Sequence, residues 1–530
     1  MKSYKRIVKE MFATNKGLLA IDFVVVLGLI ALQIAIPLWM NSVIDALDLQ
    51  KGIDVFAGEV LFFIAAYLIL CLMSALNTKL YMRIGNKLLW NMRERIYKAL
   101  WCSNYRENVQ KNKDKFKFVL SNQTYTAFGI VVVYSVGGFT NFLTAIAFLA
   151  LVFVYSIPVG MTLIVSILVT LAVSFFTGKK IMDGFEVSNT MEEKDNSQIY
   201  ETVDMAEAAR TNGLEDYYLT KNKKVHNEFM GLSEKVESIS AFCEALEGSL
   251  HAIIYIVVAG VLVLTTDVSG GKLVTILFLT NLLLETSQRV QRQLQVILKN
   301  IPIFDKVVEL MDLPLESGKA LDKIETISFK DMSLEIEDRS ILKGINLSIN
   351  KGENILIKGE NGSGKSSLLK LVLGLYKPTS GAVCLNGISV NDYDCKTFYR
   401  EICYVSQDEL LLNESVEEYL RQVTHRDLKD EEIDRLRQKV KLSPEIETIE
   451  QNGATLSGGE KKKLLMLKWL MKPDCSLVIL DEIDAGLDDE TKTILKELEN
   501  ELLKDKEKIV MKISHIDTDD RGYDQIVRLS

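Results

Sequence analysis

A run of eight residues, Gly359 to Ser366, has the spacing G-x-x-x-x-G-K-[ST], which is typical of a loop that binds nucleotide phosphates. Its glycines let the backbone approach phosphate oxygens, and Lys365 adds a full positive charge beside them. The hydroxyl of Ser366 is placed to hold Mg²⁺. The predicted phosphate site comprises Gly359, Glu360, Asn361, Gly362, Ser363, Gly364, Lys365, Ser366 and Ser367. These residues predict that the chain binds a nucleotide together with magnesium.

Two carboxylates that could catalyse hydrolysis come further along the chain. The apolar run Leu477 to Leu480 predicts a buried strand, and this strand ends in Asp481 and Glu482. Asp481 would hold the magnesium ion, and Glu482 would polarise a water molecule for attack on the terminal phosphate. The sequence therefore predicts hydrolysis of the nucleotide as well as binding.

Two more polar side chains are expected beside these carboxylates. Gln407 follows a strand-like segment, and its amide oxygen can reach both the magnesium ion and the attacking water. His515, one of four histidines, ends another strand. Each residue taken alone is more often structural. Their order and spacing after the phosphate loop together favour a catalytic set.

A second phosphate-binding element is predicted where a hydroxyl and two glycines precede a helix. Backbone amides at a helix N-terminus attract anions, and glycines leave room for them. The element comprises Ser457, Gly458, Gly459 and Glu460.

The elements that must position these residues follow from the surrounding pattern. Glu353 to Lys358 alternates as a strand does, and Ser367 to Leu373 opens a helix, so the phosphate loop has the strand–loop–helix context that it requires. Further strand-like segments begin at Ile327, after a polar linker. Residues 316–530 are therefore predicted to form a cytosolic α/β phosphate-loop ATPase domain.

Composition indicates a membrane as the partner of the first half of the chain. Of the 530 residues, 48% are hydrophobic, and almost all long apolar runs lie before residue 300. The net charge of −9 argues against a nucleic-acid partner, which usually binds a basic surface. The seven cysteines show no metal-ligand spacing, so they are predicted to be reduced and structural.

Six apolar segments are long enough to cross a bilayer, which takes about 20 residues per helix. They are Gly17 to Met40, Phe56 to Ala75, Phe128 to Val154, Val159 to Phe176, Ala245 to Thr266 and Leu273 to about Gln291. Lysine and arginine crowd the N-terminus and the segments after spans two and four, so the positive-inside rule places both termini and the nucleotide site in the cytoplasm. Residues 1–16 predict a basic interfacial helix. Residues 1–315 are therefore predicted to form an all-α, six-helix transmembrane domain.

Charged residues interrupt the inner halves of the last two spans. Glu247 and His251 share one face of the fifth span, and Glu285 and Arg289 share one face of the sixth. They are candidates for lining a substrate cavity, because ionisable groups inside a membrane usually face water or each other. Two alternatives stay open. The residues could lie solvated in the headgroup zone, and Glu285 could form an internal salt bridge with Arg289.

The ordered set of motifs resembles the ATP-binding cassette family, and the whole chain resembles a half-transporter of the exporter type. The resemblance implies that ATP and Mg²⁺ are the cofactors. It also implies that two cassettes clamp two ATP molecules, so that each site combines one subunit's phosphate loop with the other subunit's signature. A second half-transporter is therefore an expected partner, with a homodimer favoured over a heterodimer. The matching positions are Gly359 to Ser366 for Walker A, Gln407 for the Q-loop, Leu456 to Glu460 for the signature, Asp481 and Glu482 for Walker B, Asp488 for the D-loop and His515 for the switch histidine.

The chain departs from the family pattern at two positions. Ile336 stands where the family stacks an aromatic ring on adenine, and the signature ends in Glu460 where the family has glutamine. The first departure puts base recognition in doubt. The stretches Asn104 to Asn122 and Glu207 to Asp216 resemble the two intracellular coupling regions, which would dock on a cassette near the Q-loop.

The resemblance makes ATP-driven export by alternating access, across the cytoplasmic membrane of a bacterium, the expected function. It favours a small, bacteriocin-like peptide or an amphipathic compound as the exported substrate. A lipid flippase or a multidrug exporter remains an alternative, as does an ATP-gated channel or regulatory membrane ATPase. An importer is disfavoured, because importers usually keep the two domains on separate chains. The residues before the first span are too few for a cysteine peptidase, so no leader cleavage is expected.

Overall fold

The computed structural model divides the chain into two compact units. One contains Met1–Leu100 and Asn112–Leu313, and the other contains Trp101–Lys111 and Pro314–Ser530. The structure describes residues 1–48, 53–265, 270–316, 318–337, 339–406, 409–484, 486–514 and 520–529. Gln407 and His515 therefore lie outside the described residues.

The first unit is entirely helical among its described residues, as the sequence predicts. It also contains the short π turns Val119–Gln123 and Ile130–Val136, whereas the turns Tyr105–Val109 and Gln110–Asn112 lie in the segment that belongs almost entirely to the second unit. The α-helices are α1 Lys2–Thr14, α2 Lys16–Asp48, α3 Ile53–Cys102, α4 Lys113–Phe118, α5 Thr124–Gly129, α6 Gly137–Tyr155, α7 Ile157–Asp204, α8 Ala206–Asn212, α9 Glu215–Thr265, α10 Gly270–Lys299 and α11 Ile301–Met311.

Five helical segments among the described residues are long and apolar enough to cross a membrane. They are Lys16–Trp39, Ala57–Cys102, Tyr105–Tyr155, Ile157–Asp204 and Glu215–Leu264. The sixth predicted span lies in α10, which is a 30-residue helix but is not among the five. Polar and charged residues such as Asn281, Glu285 and Arg289 lower its hydropathy. The helix count is therefore roughly consistent with the six predicted spans: five segments of the described chain are long and apolar enough to cross a membrane, and α10 falls short in composition.

The core of this unit forms where four of the long helices pack together. Phe148 and Val152 of α6, Leu163 of α7, Val258 of α9 and Leu279 of α10 are at most 2% exposed and belong to one apolar cluster. Many outward-facing residues of the same helices are large and apolar, which is what a lipid-facing surface requires. The basic N-terminal segment forms α1 as predicted, with Ile7 and Met11 buried.

The second unit has two β-sheets with helices between their strands. Its strands are β1 Thr326–Ile336, β2 Arg339–Asn350, β3 Asn354–Gly359, β4 Ser380–Leu385, β5 Ile388–Ser389, β6 Ile402–Ser406, β7 Leu477–Asp481, β8 Ile509–Ile513 and β9 Gln525–Leu529. Its helices are α12 Lys365–Val372, α13 Cys395–Arg400, α14 Val416–Thr424, α15 Asp430–Lys439, α16 Gly458–Leu470 and α17 Asp489–Leu502. This arrangement confirms the predicted α/β domain.

A five-stranded sheet with the order β6-β7-β8-β3-β9 forms the centre of this unit. Its strand pairs are all parallel. The sequence before the phosphate loop alternates as a strand does, and the structure buries five of the six residues of β3. The reason is that β3 lies between β8 and β9, and helices cover both faces of a parallel sheet. Even Lys358 is buried, and its ammonium group pairs with Asp520.

Candidate functional site

One edge of the five-stranded sheet brings the predicted catalytic residues together. The phosphate loop follows β3, the carboxylate pair follows β7, and the register aligns Asp481 with Ser406 on one side and with Ile513 on the other. Ligands bind at the carboxyl ends of parallel strands in this type of sheet. Gln407 comes directly after Ser406, and His515 comes two residues after Ile513. Gln407 and His515 themselves lie outside the described residues, so their place at this edge stays a prediction.

The phosphate loop has a backbone that only glycine adopts easily. Gly362 and Gly364 have φ angles of 87° and 90°, in the left-handed region where a side chain would be strained. The loop leads directly into α12, whose N-terminus begins at Lys365. A cavity of about 670 Å³ opens beside the loop and is lined by Gly359 to Ser363 among others. Its volume fits a nucleotide.

The ammonium group of Lys365 lies at the base of the loop. Its Nζ donates hydrogen bonds to the carbonyl oxygens of Gly359 at 2.9 Å and Glu360 at 3.1 Å. The side chain is 5% exposed, and Nζ lies 3.9 Å from Oε1 of Glu482. The hydroxyl of Ser363 is buried and, among the described residues, has no hydrogen-bond partner. The positive charge of Lys365 and the hydroxyl of Ser363 are both suited to bind a phosphate group.

The carboxylate of Asp481 is held by a residue that the sequence analysis did not identify. The hydroxyl of Tyr404, on the neighbouring strand β6, donates to Oδ2 of Asp481 at 3.1 Å. Burial is the main cause that raises the pKa of Asp481, and the adjacent carboxylate of Glu482 adds to it. Lys365 and Lys370 act in the opposite direction. A partly buried carboxylate that a neighbouring hydroxyl orients is a suitable ligand for a hard divalent cation such as Mg²⁺.

The backbone at Glu482 is unusual. Its φ angle is 51°, a left-handed conformation that is uncommon for a residue other than glycine. Its amide nitrogen donates to the carbonyl oxygen of Ile513 at the end of β8, 3.2 Å away. Strained backbone of this kind is concentrated at functional sites, because the surrounding structure must hold it. The geometry places the carboxylate of Glu482 between the phosphate loop and β8.

The second predicted phosphate element begins α16 and has a complete capping box. The Ser457 hydroxyl accepts from the amide of Glu460 at 3.3 Å, and the Glu460 carboxylate accepts from the amide of Ser457 at 2.8 Å. These hydrogen bonds lower the pKa of Glu460. Ser457 and Gly458 are exposed, and none of the four signature residues lines the cavity beside the phosphate loop. Asp488 is also exposed, and its carboxylate caps α17.

The base-binding end of the cavity differs from the expectation for Ile336. The side chain of Ile336 is partly buried against the apolar core of the unit, and it is not among the residues that line the cavity. Ser340 and Ile341 of β2 and Arg528 of β9 line it instead. The sequence offered no signal for Arg528, because β9 lies beside β3 only in the folded sheet.

The four predicted cavity residues of the membrane unit have different surroundings. Glu247 is 1% exposed, and its carboxylate accepts hydrogen bonds from the Gln295 amide at 2.9 Å and from the Ser174 hydroxyl. It therefore joins α7, α9 and α10. His251 is half-buried, and Nε2 has no hydrogen-bond partner among the described residues. Glu285 and Arg289 form the salt bridge considered above, at 3.5 Å, with both side chains at least half exposed.

A largely apolar cavity of about 640 Å³ lies elsewhere in the membrane unit. It is enclosed by α1, the start of α2 and the region where α6 begins. Phe12, Phe23 and Phe139 line it together with the carboxylate of Asp22, which accepts a hydrogen bond from Asn77 at 3.0 Å. No local sequence pattern indicates this cavity, because its walls come from three separate segments.

The raised pKa of Asp481 predicts that this carboxylate lowers the stability of the nucleotide-free protein. A carboxyl group with a higher pKa when folded binds its proton more tightly in the folded state, so stability rises as the pH falls through that pKa. At neutral pH the charged form is unfavourable. We expect Asp481→Asn to raise the midpoint of thermal unfolding at pH 7.5 by roughly 1–3 °C without nucleotide or magnesium.

This difference should shrink as the pH is lowered toward the pKa of the folded protein. Asp484→Asn is the control, because Asp484 accepts from the Ser514 hydroxyl at 2.8 Å and lies 3.4 Å from Lys512, so its removal should lower the midpoint. Thermal unfolding in detergent, followed by tryptophan fluorescence, measures both variants. A lower midpoint for Asp481→Asn at pH 7.5 would contradict the prediction.

Two family descriptions match the chain in the order of its two units. Residues 19–287 match the ABC transporter transmembrane region, and residues 342–485 match the ATP-binding family described as ABC transporter. The fold and the site thus define a membrane transporter subunit with its ATPase domain in the same chain. The chain belongs to the ABC transporter family.

Relatives and a solved structure agree with this assignment. The chain is 25% identical over 414 residues to ABC transporter B family member 26, chloroplastic, from Arabidopsis thaliana, covering 72% of this chain and 58% of the relative. It is 26% identical over 345 residues to the ATP-dependent lipid A-core flippase of Xylella fastidiosa, covering 60% of this chain and 58% of the relative. The chain thus spans less than two thirds of the length of each of these curated relatives.

The solved structure of a bacterial Atm1-family ABC exporter with ATP bound is similar across nearly the whole chain. The TM-score is 0.85, and the match covers 98% of this chain and 94% of the other. The sequences are 17% identical, so the likeness supports the fold. The predicted half-transporter architecture, with a transmembrane domain fused to a nucleotide-binding domain, is confirmed.

Proposed function

We propose that this chain is one half of an ATP-driven exporter that moves a lipid or another amphipathic compound across a membrane. The observation that carries the proposal is the contact at 3.9 Å between Lys365 of the phosphate loop and Glu482, at the edge of the parallel sheet. Asp481 directly precedes Glu482, and a nucleotide-sized cavity opens beside the loop. The same chain supplies five helices able to cross a membrane. Nucleotide hydrolysis and a membrane path are thus present in one polypeptide.

The residues of the site would divide the work of hydrolysis. ATP and Mg²⁺ supply the γ-phosphoryl group and the charge that neutralises it when they are bound. Lys365 and the amides of Gly362 and Gly364 would hold the phosphates, and Ser366 and Asp481 would hold the metal. Glu482 would orient and polarise the attacking water, with Gln407 and His515 completing the site. Catalysis of this kind depends mainly on positioning and charge stabilisation.

A dimer would complete each ATP site. Ser457 and Gly458 of the signature are exposed, and none of the residues Ser457 to Glu460 lines the cavity beside the phosphate loop of their own chain. An N-terminal helix end with free amides is suited to bind phosphate from outside the subunit. We therefore propose that a second copy of this chain contributes its signature to the site, with ATP binding closing the dimer and hydrolysis reopening it.

The first intracellular region would couple the ATPase unit to the membrane helices. The guanidinium of Arg106 lies over the ring of Tyr376, 5.1 Å from its centroid, and Lys370 of α12 lies over the same ring at 5.3 Å. Tyr376 follows the helix that begins at the phosphate loop. A change at the bound phosphates would therefore reach the coupling region through this contact. The second region, α8, has one buried residue, Ala209, and is otherwise exposed.

A lipid or amphipathic cargo is favoured over the small peptide that the sequence first indicated. The Xylella relative is named for the export of a lipid, and no relative reported above is named for a peptide. The apolar cavity of about 640 Å³ offers phenylalanine rings and one carboxylate, which suits a molecule with an apolar body. We further propose that the protein lies in a bacterial cytoplasmic membrane with both termini in the cytoplasm.

The test is ATPase activity in lipid nanodiscs with a panel of lipids, peptides and lipophilic drugs. We expect lipids to stimulate hydrolysis more than peptides, and to be flipped in liposomes, where dithionite reduces only fluorescent lipid of the outer leaflet. Glu482→Gln is the control for both assays, because it should abolish flipping without removing the protein. Stimulation by peptides alone would overturn the lipid proposal. Equal rates with the whole panel would favour the regulatory ATPase.

A further inference from the structure

Two cysteines that are far apart in sequence meet in the ATPase unit. Cys102 is the last residue of α3, and Cys395 is the first residue of α13. The thiol of Cys395 points to Sγ of Cys102, and the two sulfur atoms are 2.8 Å apart. Both residues are half-buried, so neither thiol is sealed from solvent. A backbone bridge between Ser103 and Leu315 holds the neighbouring chain segments together.

We propose that Cys102 and Cys395 form a reversible thiol modification site, which an oxidising low-molecular-weight disulfide converts into an internal disulfide bond. A disulfide bond is about 2.05 Å long, so the two sulfur atoms need to approach by only about 0.8 Å. The bond therefore requires only this short approach of the two sulfur atoms. In a reducing cytoplasm the two residues would remain thiols, and the bond would form only under oxidative conditions.

The chemistry balances as two thiol–disulfide exchanges. The thiolate of Cys102 attacks one sulfur of the small disulfide, forms a mixed disulfide and releases the first small thiolate. Cys395 then loses its proton and attacks Sγ of Cys102, and the second small thiolate leaves. Overall, two protein thiols are oxidised, the small disulfide is reduced to two thiols, and the two protons pass to the released thiolates.

The order of attack follows from the surroundings of Cys395. Burial, the adjacent Cys102 thiol and the carboxylates of Asp394 and Glu316 raise the pKa of Cys395 to about 12. At neutral pH its thiol is therefore almost entirely protonated and slow to attack an external disulfide. Cys102 is accordingly the residue that reacts first, and Cys395 resolves the mixed disulfide.

The other cysteines of the chain provide contrasts. Cys403 and Cys475 also contact each other, but they are 0% and 3% exposed, so a small disulfide cannot reach them in the folded protein. Cys71 is exposed but stands on the membrane helix α3 with no cysteine beside it. A metal site is not supported, because no group of three or more ligands suited to a metal occurs among the described residues.

The position of the site gives the bond a consequence for ATP hydrolysis. Cys102 begins the short segment that carries Arg106, whose guanidinium lies 5.1 Å from the ring centre of Tyr376. A covalent bond to α13 would hold this segment in one position. Because conformational steps limit turnover in many enzymes, such a restraint would slow the catalytic cycle. We therefore expect the oxidised protein to hydrolyse ATP more slowly, and a reductant to restore the rate.

The experiment uses the full chain in nanodiscs, incubated with oxidised glutathione and then with dithiothreitol. Intact mass should fall by about 2 Da on oxidation, and peptide mapping should find Cys102 linked to Cys395. ATPase activity should fall with the mass change and return with dithiothreitol. Cys102→Ser and Cys395→Ser should each abolish the crosslink and the loss of activity. Cys71→Ser should respond as the unmodified protein does.

The two serine variants also show which of the two cysteines attacks the small disulfide first. With oxidised glutathione, Cys395→Ser should stop at a glutathione adduct on Cys102, whereas Cys102→Ser should carry almost none on Cys395. A crosslink between Cys403 and Cys475, or no crosslink at all, would overturn the proposed site. A crosslink at Cys102 and Cys395 with an unchanged ATPase rate would overturn its consequence for turnover. Both readouts use ATP hydrolysis or mass, so they are independent of which cargo is exported.

Discussion

Glu482→Gln should bind ATP and Mg²⁺ normally and lose nearly all ATP hydrolysis. The change removes the carboxylate that would accept a proton from the attacking water, an effect of roughly 100-fold or more for a general base. Glutamine has the same size and keeps the side chain 3.9 Å from the ammonium group of Lys365 without a negative charge. The phosphate loop and Asp481 are unchanged, so binding should persist and ATP should accumulate in the site.

The measurement is steady-state phosphate release together with retention of labelled ATP after rapid gel filtration. Glu507→Gln is a matched control, because Glu507 is an 80% exposed carboxylate paired with Lys351 at the surface of the same unit. It should hydrolyse ATP at the rate of the unmodified protein. Hydrolysis by Glu482→Gln within a few-fold of that rate would rule out the proposed role of Glu482.

Local sequence was sufficient to single out two motifs whose residues lie close together in the fold. The phosphate loop lies in one continuous stretch, and Asp481 and Glu482 come directly after an apolar strand, so each is recognised from its own neighbours. Parallel packing of β3, β7 and β8 then brings the two motifs to one edge of the sheet. General topology rules were enough to anticipate that proximity.

Contacts between residues that are far apart in the sequence could not be predicted in the same way. Tyr404 contacts Asp481 from a separate strand, and Arg528 reaches the cavity from the edge strand β9. Cys102 and Cys395 contact each other although they are 293 positions apart in the sequence. Such pairs depend on how distant elements pack, and no local pattern encodes them. The contacts of Glu247 with Ser174 of α7 and Gln295 of α10 depend on packing in the same way, and its spacing along α9 did not indicate them.

Two inactive variants should restore activity when they are combined in one dimer. Lys365→Ala removes the charge in the phosphate loop, and Ser457→Asp places a negative charge where the signature would meet the γ-phosphate. Aspartate is a good N-terminal cap, so the second change should preserve α16. Each variant alone spoils both sites of a symmetric dimer. A mixed dimer has one doubly defective site and one intact site, which pairs the Lys365 of one copy with the Ser457 of the other.

Differently tagged copies, co-expressed and purified through both tags, would isolate the mixed dimer. We expect it to recover up to about half of the normal ATPase rate, since one of its two symmetric sites is intact. Each single variant with two tags is the matched control and should stay inactive. If each ATP site were built within one chain, the mixed dimer would remain as inactive as these controls. Failure to recover any doubly tagged protein would exclude the homodimer, because the signature exposed on α16 would then serve a different partner.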